Sequence, residues 1–216
     1  SAGNSGSAFA YYTRGLIEGG IQGRFKSENL VDPSIAAGAA TIPVIEVPVR
    51  QFSSNVGYAS AVGLTVRYHL QEATHPQRSV FEESQFWNNS KGITLDYVQN
   101  TTLRNLTVTQ NPGVQNSDGI LTNLITGNII FDTVSVSNYD RGITLPQWGN
   151  NAINGGTFSN AFDFIIPNAA WRNRTLTIVG IVSTPRILMS QSLTPPEYHT
   201  AEVFFVQDNI TLNYSA

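Results

Sequence analysis

Apolar and polar positions alternate over runs of four to six residues, and one such run keeps returning. It reads Gly63-Leu64-Thr65-Val66, Gly92-Ile93-Thr94-Leu95, Gly119-Ile120-Leu121-Thr122 and Gly142-Ile143-Thr144-Leu145. A period of two predicts a strand with one face inward: Ile93 in, Thr94 out, Leu95 in, Asp96 out. The leading glycines stand 29, 27 and 23 residues apart, and a strand unit recurring at such spacing marks a stacked-coil architecture.

Each of these runs is preceded by a second strand-like string, and its apolar positions form columns. One column is Phe81, Leu103, Phe131 and Ile153; another is Phe86, Val108, Val136 and Phe158. Asn88, Asn138 and Asn160 end the second string in three coils, with Asn111 near the same place in the other. Aligned amides at a turn predict a hydrogen-bonded ladder from coil to coil. Short strands separated by Gly and Asn turns argue against helices. The expected fold is all-β, a right-handed parallel β-helix.

Outside the repeats the pattern changes. Tyr11 to Leu16 reads as an early, irregular coil. Asp32-Pro33-Ser34-Ile35-Ala36 predicts a single helical turn, with Asp32 as N-cap and Pro33 at the first position. Pro43 and Pro48 make their stretch edge-like. Phe162-Asp163-Phe164-Ile165 replaces the glycine-led string, and Leu176-Thr177-Ile178 starts a further coil. Ala201 to Val206, then Asp208-Asn209, then Ile210 to Tyr214 reads as strand, turn and strand, suited to closing an open solenoid end. The organisation predicted is one domain: an irregular N-terminal coil or cap over 1–50, a β-helix core over 51–184, and C-terminal capping strands over 185–216.

Composition narrows the function classes. Only 12% of the 216 residues are charged and the net charge is −3, so no bulk field draws nucleic acid. No apolar run of about 18 residues predicts a membrane span. With no cysteine there is no disulfide, thiol nucleophile or thiolate metal site. Low charge with abundant Asn, Thr, Ser and Gly is the composition of an extracellular β-rich protein. Chance explains the Asn-x-Ser/Thr sequons in a chain so rich in both residues. The start, Ser1-Ala2-Gly3-Asn4-Ser5-Gly6-Ser7, reads as a trimmed or engineered end.

If the glycine-led strings stack, so do their outward positions. Thr65, Thr94, Leu121 and Thr144 make one column; Arg67, Asp96, Asn123 and Pro146 make the next. Tyr68, Tyr97 and His69 follow at the corner, and Trp148 further down. A carboxylate, a cation, an amide and aromatic rings on one face match what a sugar needs, planar groups for its C–H face and polar groups for its hydroxyls. The predicted substrate-binding set is Arg67, Tyr68, Asp96, Tyr97, Asn123 and Trp148. In a catalytic version Asp96 or His69 is the base, Tyr97 the acid, and Arg67 neutralises a uronate carboxylate. That is lyase or epimerase chemistry, whereas glycoside hydrolysis needs two facing carboxylates. The competing reading is an ordinary Arg67–Asp96 surface pair worth about 0–1 kcal/mol.

Other features are weaker. His69 and His75 would need a third ligand such as Glu72 to hold zinc, so no cofactor and no metal are expected. Glu82 and Glu83 are expected to be solvated, and turn formation accounts for Asp118 and Asp140. At least two of Trp87, Trp148 and Trp171 are expected to pack at wide corners, with Trp87 pointing away from the core if Phe86 points in.

The run Asn55-Val56-Gly57-Tyr58-Ala59-Ser60, with Val62-Gly63-Leu64, His69-Leu70, Thr74 to Ser79 and Phe86-Trp87-Asn88-Asn89, resembles a known family. So do Asn154-Gly155-Gly156-Thr157-Phe158 and the stretch from Phe204 to Tyr214. The resemblance is to the parallel β-helix region of large secreted bacterial proteins related to the animal cell-migration-inducing hyaluronan-degrading proteins. It implies a secreted, extracellular module directed at polysaccharide, a C-terminal part of a longer chain whose further domains are possible partners. No catalytic residue set carries over with it. The functional expectation is therefore a β-helix that binds glycan or forms part of a polysaccharide-degrading enzyme. The alternative is a non-catalytic structural or adhesive spacer of a large surface protein. No nucleic acid and no membrane are expected as partners.

Overall fold

The computed structural model describes residues 5–13, 17–18, 21–71, 73–123, 125–167, 174–181, 185–189, 200–206 and 209–215. The chain is a parallel β-helix. Two sheets run along the solenoid, and each rung contributes strands to both. The glycine-led sheet stacks Ser7–Tyr12, Val62–His69, the first half of Lys91–Arg104, Asp118–Asn123, Arg141–Thr144, Phe162–Ile166 and Ile187–Met189, all parallel. The second sheet stacks the strings around Phe81 and Phe86, again in parallel.

The predicted columns are in register. Phe81, Leu103, Phe131 and Ile153 are vertical neighbours, as are Phe86, Val108, Val136 and Phe158. They are buried in one continuous apolar core with Leu64, Ile93, Ile120 and Ile143. Strand Lys91–Arg104 passes from one sheet to the other by bending at Tyr97 and Asn100, both at positive φ (55° and 47°). A second corner is set rung after rung: Ser54, Glu83, Asn105, Thr133, Gly155 and Gly180 all take positive φ. The left-handed conformation turns the chain tightly, and repeating it at one register keeps successive coils superimposable.

The repeated glycines are needed for closeness rather than for φ. A Cβ on Gly92 would lie 2.1 Å from Val108 Cγ1 and 2.5 Å from the carbonyl oxygen of Gly119. Gly63, Gly119 and Gly142 meet the carbonyl of the next rung at the same 2.5 Å.

The polar ladder exists, with Asn160 as expected and Asn89 and Gln110 in place of the other amides. Asn89, fully buried, donates to the Gly57 carbonyl (3.1 Å) and accepts from the Ser60 amide (2.9 Å). Buried Gln110 donates to the Asn89 carbonyl at 2.7 Å. Asn160 accepts from the Tyr139 amide and donates to the Val136 carbonyl. Asn88 accepts from Asn111 at the rim (2.9 Å), while Asn138 is an exposed positive-φ corner.

At the N-terminal end, Ser7–Tyr12 is a regular strand in register with Val62–Arg67, where an irregular coil was expected from Tyr11; residues 14–16 lie outside the described set. Asp32 caps the 3-10 turn Pro33–Ala36 as predicted, its carboxylate accepting from the Ser34 amide (3.0 Å). Thr41–Pro43 pairs antiparallel with Arg24–Lys26, and Ile35, Ala36 and Ile42 form a small second core. At the other end Thr200–Val206 and Asn209–Ser215 form an antiparallel pair, and the latter also pairs antiparallel with Arg174–Val179. Parallel stacking in the second sheet thus gives way to an antiparallel hairpin. Among the described residues no helix is long and apolar enough to cross a membrane.

Candidate functional site

The glycine-led sheet brings Arg67, Asp96 and Asn123 into one file, as partners on consecutive strands. Arg67 Nε lies 3.4 Å from Asp96 Oδ2, with the side chains 40% and 14% exposed. Asp96 Oδ1 is shielded and accepts no hydrogen bond. Tyr12 extends the file one rung upward, opposite Arg67. The corner beyond carries Tyr68 and Tyr97, their rings stacked 4.7 Å apart and 12° from parallel. Tyr12 meets Tyr68 edge-on at 5.7 Å. The Arg67 guanidinium carbon sits 5.8 Å from the Tyr12 ring centre and 5.4 Å from that of Tyr68, within cation–π range. The result is a cation beside two tyrosine rings, Tyr12 and Tyr68, with Tyr97 stacked on Tyr68 and a carboxylate and an amide on the next two rungs.

His69 does not join this face. It is fully buried, opposite the core residue Val98, with Nε2 2.5 Å from Ser79 Oγ and its ring edge-on to Tyr11 at 4.9 Å. Burial pulls its pKa down to about 3, so it is neutral at ordinary pH and out of reach of a surface substrate. The expectation of His69 as a surface base is therefore corrected. Its register with Val98 carried the signal, because an inward column stays inward. Trp148 is 43% exposed but bridges Gly127 at the start of the second sheet, past the corner from Asn123. Tyr12, missed by the sequence reading, was detectable by aligning Ser7–Tyr12 with Val62–Arg67; Ala8, in place of the leading glycine, obscured that repeat.

The second sheet presents another face. Tyr58 and Trp87 are vertical neighbours with rings stacked at 4.6 Å and 5° from parallel, and Trp87 is 44% exposed. Below Trp87 the file continues as Thr109, Ser137 and Ser159. Beside it runs Gln85, Thr107, Ser135 and Thr157. Thr109 bonds Ser137 at 3.1 Å and Thr157 bonds Ser135 at 2.9 Å. Trp87 thus points outward as predicted, yet with Trp148 also half-exposed and Trp171 outside the described residues, packing of two of the three tryptophans is not seen.

Other charges pair with one another along the coils. Arg104 bridges Glu82 (3.5 Å) and Asp132 (3.1 Å) across three rungs, and Glu83 is solvated. Asp118 is a buried strand residue paired with Arg141 at 2.6 Å rather than a simple turn former; desolvation raises its pKa against the pull of Arg141. His75 is held by the Glu46 carbonyl (2.6 Å), and Glu72 lies outside the described residues. A cavity of about 200 Å³ between the N-terminal turn and the solenoid is lined by Leu30, Asp32, Arg50 and Arg78 among others.

No curated protein and no solved structure matches the chain, and the resemblance to hyaluronan-degrading proteins finds no counterpart there. A family model described as periplasmic copper-binding protein (NosD) matches residues 18–176, which includes nearly all of the described coils. That family is one of parallel β-helices, in agreement with the observed fold. The chain belongs to the NosD family.

Proposed function

We propose that this chain is an extracytoplasmic β-helix module that binds polysaccharide, with acidic sugars held on the Arg67–Asp96–Asn123 face. The observation that carries the reading is the file itself: a half-exposed guanidinium beside the Tyr12 and Tyr68 rings, Tyr97 stacked on Tyr68, and Asp96 and Asn123 in register beyond. Rings offer flat C–H contact to a pyranose, the cation takes a uronate carboxylate, and the polar pair takes hydroxyls. The family's periplasmic description supports the location. The relation to secreted hyaluronan-degrading proteins belongs to the same proposal.

Geometry favours binding over turnover. Of the residues expected to act in a lyase, His69 is buried and neutral, Tyr97 is engaged in a ring stack, and Asp96 faces Arg67. Copper, named in the family description, fits the described residues poorly. Copper prefers thiolate, thioether and imidazole donors. The chain has no cysteine, both described histidines are tied to Ser79 and Glu46, and no group of three metal-ligating side chains occurs among the described residues.

The test is a glycan array that includes uronate polymers, run beside an assay for unsaturated and reducing-end products. Retention of acidic glycans without product supports a binding module. Product formation converts the reading to a lyase with Asp96 as base. Absence of both leaves the spacer reading, which the regular, extended stack of coils would serve.

A further inference from the structure

We infer a second, separate binding site on the other sheet, for a neutral polysaccharide lying along the solenoid with one ring stacked on the open face of Trp87. This goes beyond the acidic-glycan proposal: it uses a different face and a ligand of different charge, so each stands or falls alone.

The Tyr58 and Trp87 rings belong to adjacent rungs and are parallel to within 5° at 4.6 Å. That distance is close to the rung spacing of about 4.8 Å, so the stack runs along the solenoid axis and the ring faces look up and down it. Tyr58 covers one face of the indole. On the other side the register partner is Thr109, a side chain too short to cover a ring. The stack therefore ends on an indole face open toward the next rung, and the 44% exposure of Trp87 agrees with this.

What lies beyond that step fits a sugar. Thr107 is exposed and Thr109 half-buried, and the Thr109–Ser137 hydroxyl pair continues the file downward. Asn111, exposed and bonded to Asn88, flanks the same rung. An indole face offers contact to the C–H face of a pyranose, while hydroxyls and an amide offer bonds to its rim. One rung is close to the length of one sugar unit, so successive rings of an extended chain would meet successive hydroxyl rows. None of the outward positions from Val56 and Tyr58 down to Thr157 and Ser159 carries a carboxylate, ammonium or guanidinium. An acidic polymer gains nothing there, whereas a neutral one leaves no buried charge behind. This absence of charge distinguishes the face from the Arg67 file and commits the site to neutral glycan.

The experiment uses the whole chain, with affinity electrophoresis through gels containing a soluble β-glucan, a galactomannan or a uronate polymer. The expected result is retardation by at least one neutral polymer, unchanged at 0.5 M salt on the ordinary scale of charge screening (about a Debye length of a few Å). Trp87→Ala should weaken it about ten-fold, on the scale of one aromatic contact, Trp87→Phe should recover part of it, and Thr109→Val should weaken it less. Arg67→Ala should leave it unchanged. Because Trp87 is on the surface, its variants are expected to fold, which circular dichroism checks. No retention on any neutral polymer overturns the proposal. Equal retention of Trp87→Ala does the same, and so does a concentration-dependent dimer that Trp87→Ala abolishes, since the face would then bind a second copy. Loss of acidic-glycan retention alone, in Arg67→Ala, bears only on the other face.

Discussion

The rings of Tyr68 and Tyr97 lie face to face, 4.7 Å apart and 12° from parallel, although both backbones sit in the left-handed region at φ of 54° and 55°. Left-handed backbone costs a non-glycine residue about 1–2 kcal/mol, and a ring pair returns about 0.5–1.5 kcal/mol. Tyr97→Ala keeps the strain and loses the stack. Tyr97→Gly loses the stack and the strain together. The glycine variant should therefore be the more stable of the two by about 1 kcal/mol, measured by urea denaturation, while both lose acidic-glycan retention.

The Arg67–Asp96 pair should matter more for ligand than for fold. Its partners are partly exposed at 3.4 Å, a geometry worth about 0–1 kcal/mol. Asp96→Asn should shift the unfolding midpoint only slightly. Arg67→Ala, which leaves the largely shielded Asp96 carboxylate without its cation, should cost more stability than Asp96→Asn, and it should reduce retention on uronate polymers and flatten its dependence on salt. Equal retention by wild type and Arg67→Ala would remove Arg67 from the site.

His69 makes the fold sensitive to acid. Its folded pKa is pulled down to about 3 by burial, below the ordinary value near 6.5. Between those values the unfolded chain binds a proton that the folded chain refuses, so stability falls as pH drops below about 6.5 and goes on falling toward 3. The loss at pH 5 should be about 2 kcal/mol. His69→Gln should remove this part of the slope in urea midpoints taken from pH 7 to pH 4. An unchanged slope would show that His69 is not the titrating group.

Gly92→Ala should be among the most damaging single-methyl changes. The new Cβ would lie 2.1 Å from Val108 Cγ1 and 2.5 Å from a backbone oxygen of the next rung, and neither the sheet spacing nor the core can yield cheaply. A loss of about 3 kcal/mol is expected, at the upper end of overpacking costs. Gly113→Ala is the control: open space surrounds it, but its φ of 82° is strained for alanine, so its cost should be conformational and smaller, about 1 kcal/mol.

The β-helix, its columns and the Arg67–Asp96–Asn123 file were legible in the chain. A parallel stack repeats one short-range rule, inward and outward positions alternating at period two, and the glycines mark where each repeat begins. Once the register is known, residues 29 or 27 positions apart become vertical neighbours without further information. The C-terminal strand pair was legible from two strand-like strings on either side of Asp208-Asn209, not from the repeat.

What resisted reading lies where the period is interrupted. His69 and Tyr68 are adjacent in the chain, yet one is core and the other corner, because a single left-handed residue at Tyr68 redirects everything after it. Past the left-handed Asn88, the amide that enters the ladder is Asn89 rather than Asn88, while the left-handed Asn138 stays an exposed corner. Tyr58 and Trp87 became a stack because two wide rings met across one rung. Alternation belongs to neighbouring residues and is written in the order of amino acids. Corner direction and ring-on-ring contact depend on how whole coils settle against each other, and so they emerge only when the chain is packed in three dimensions.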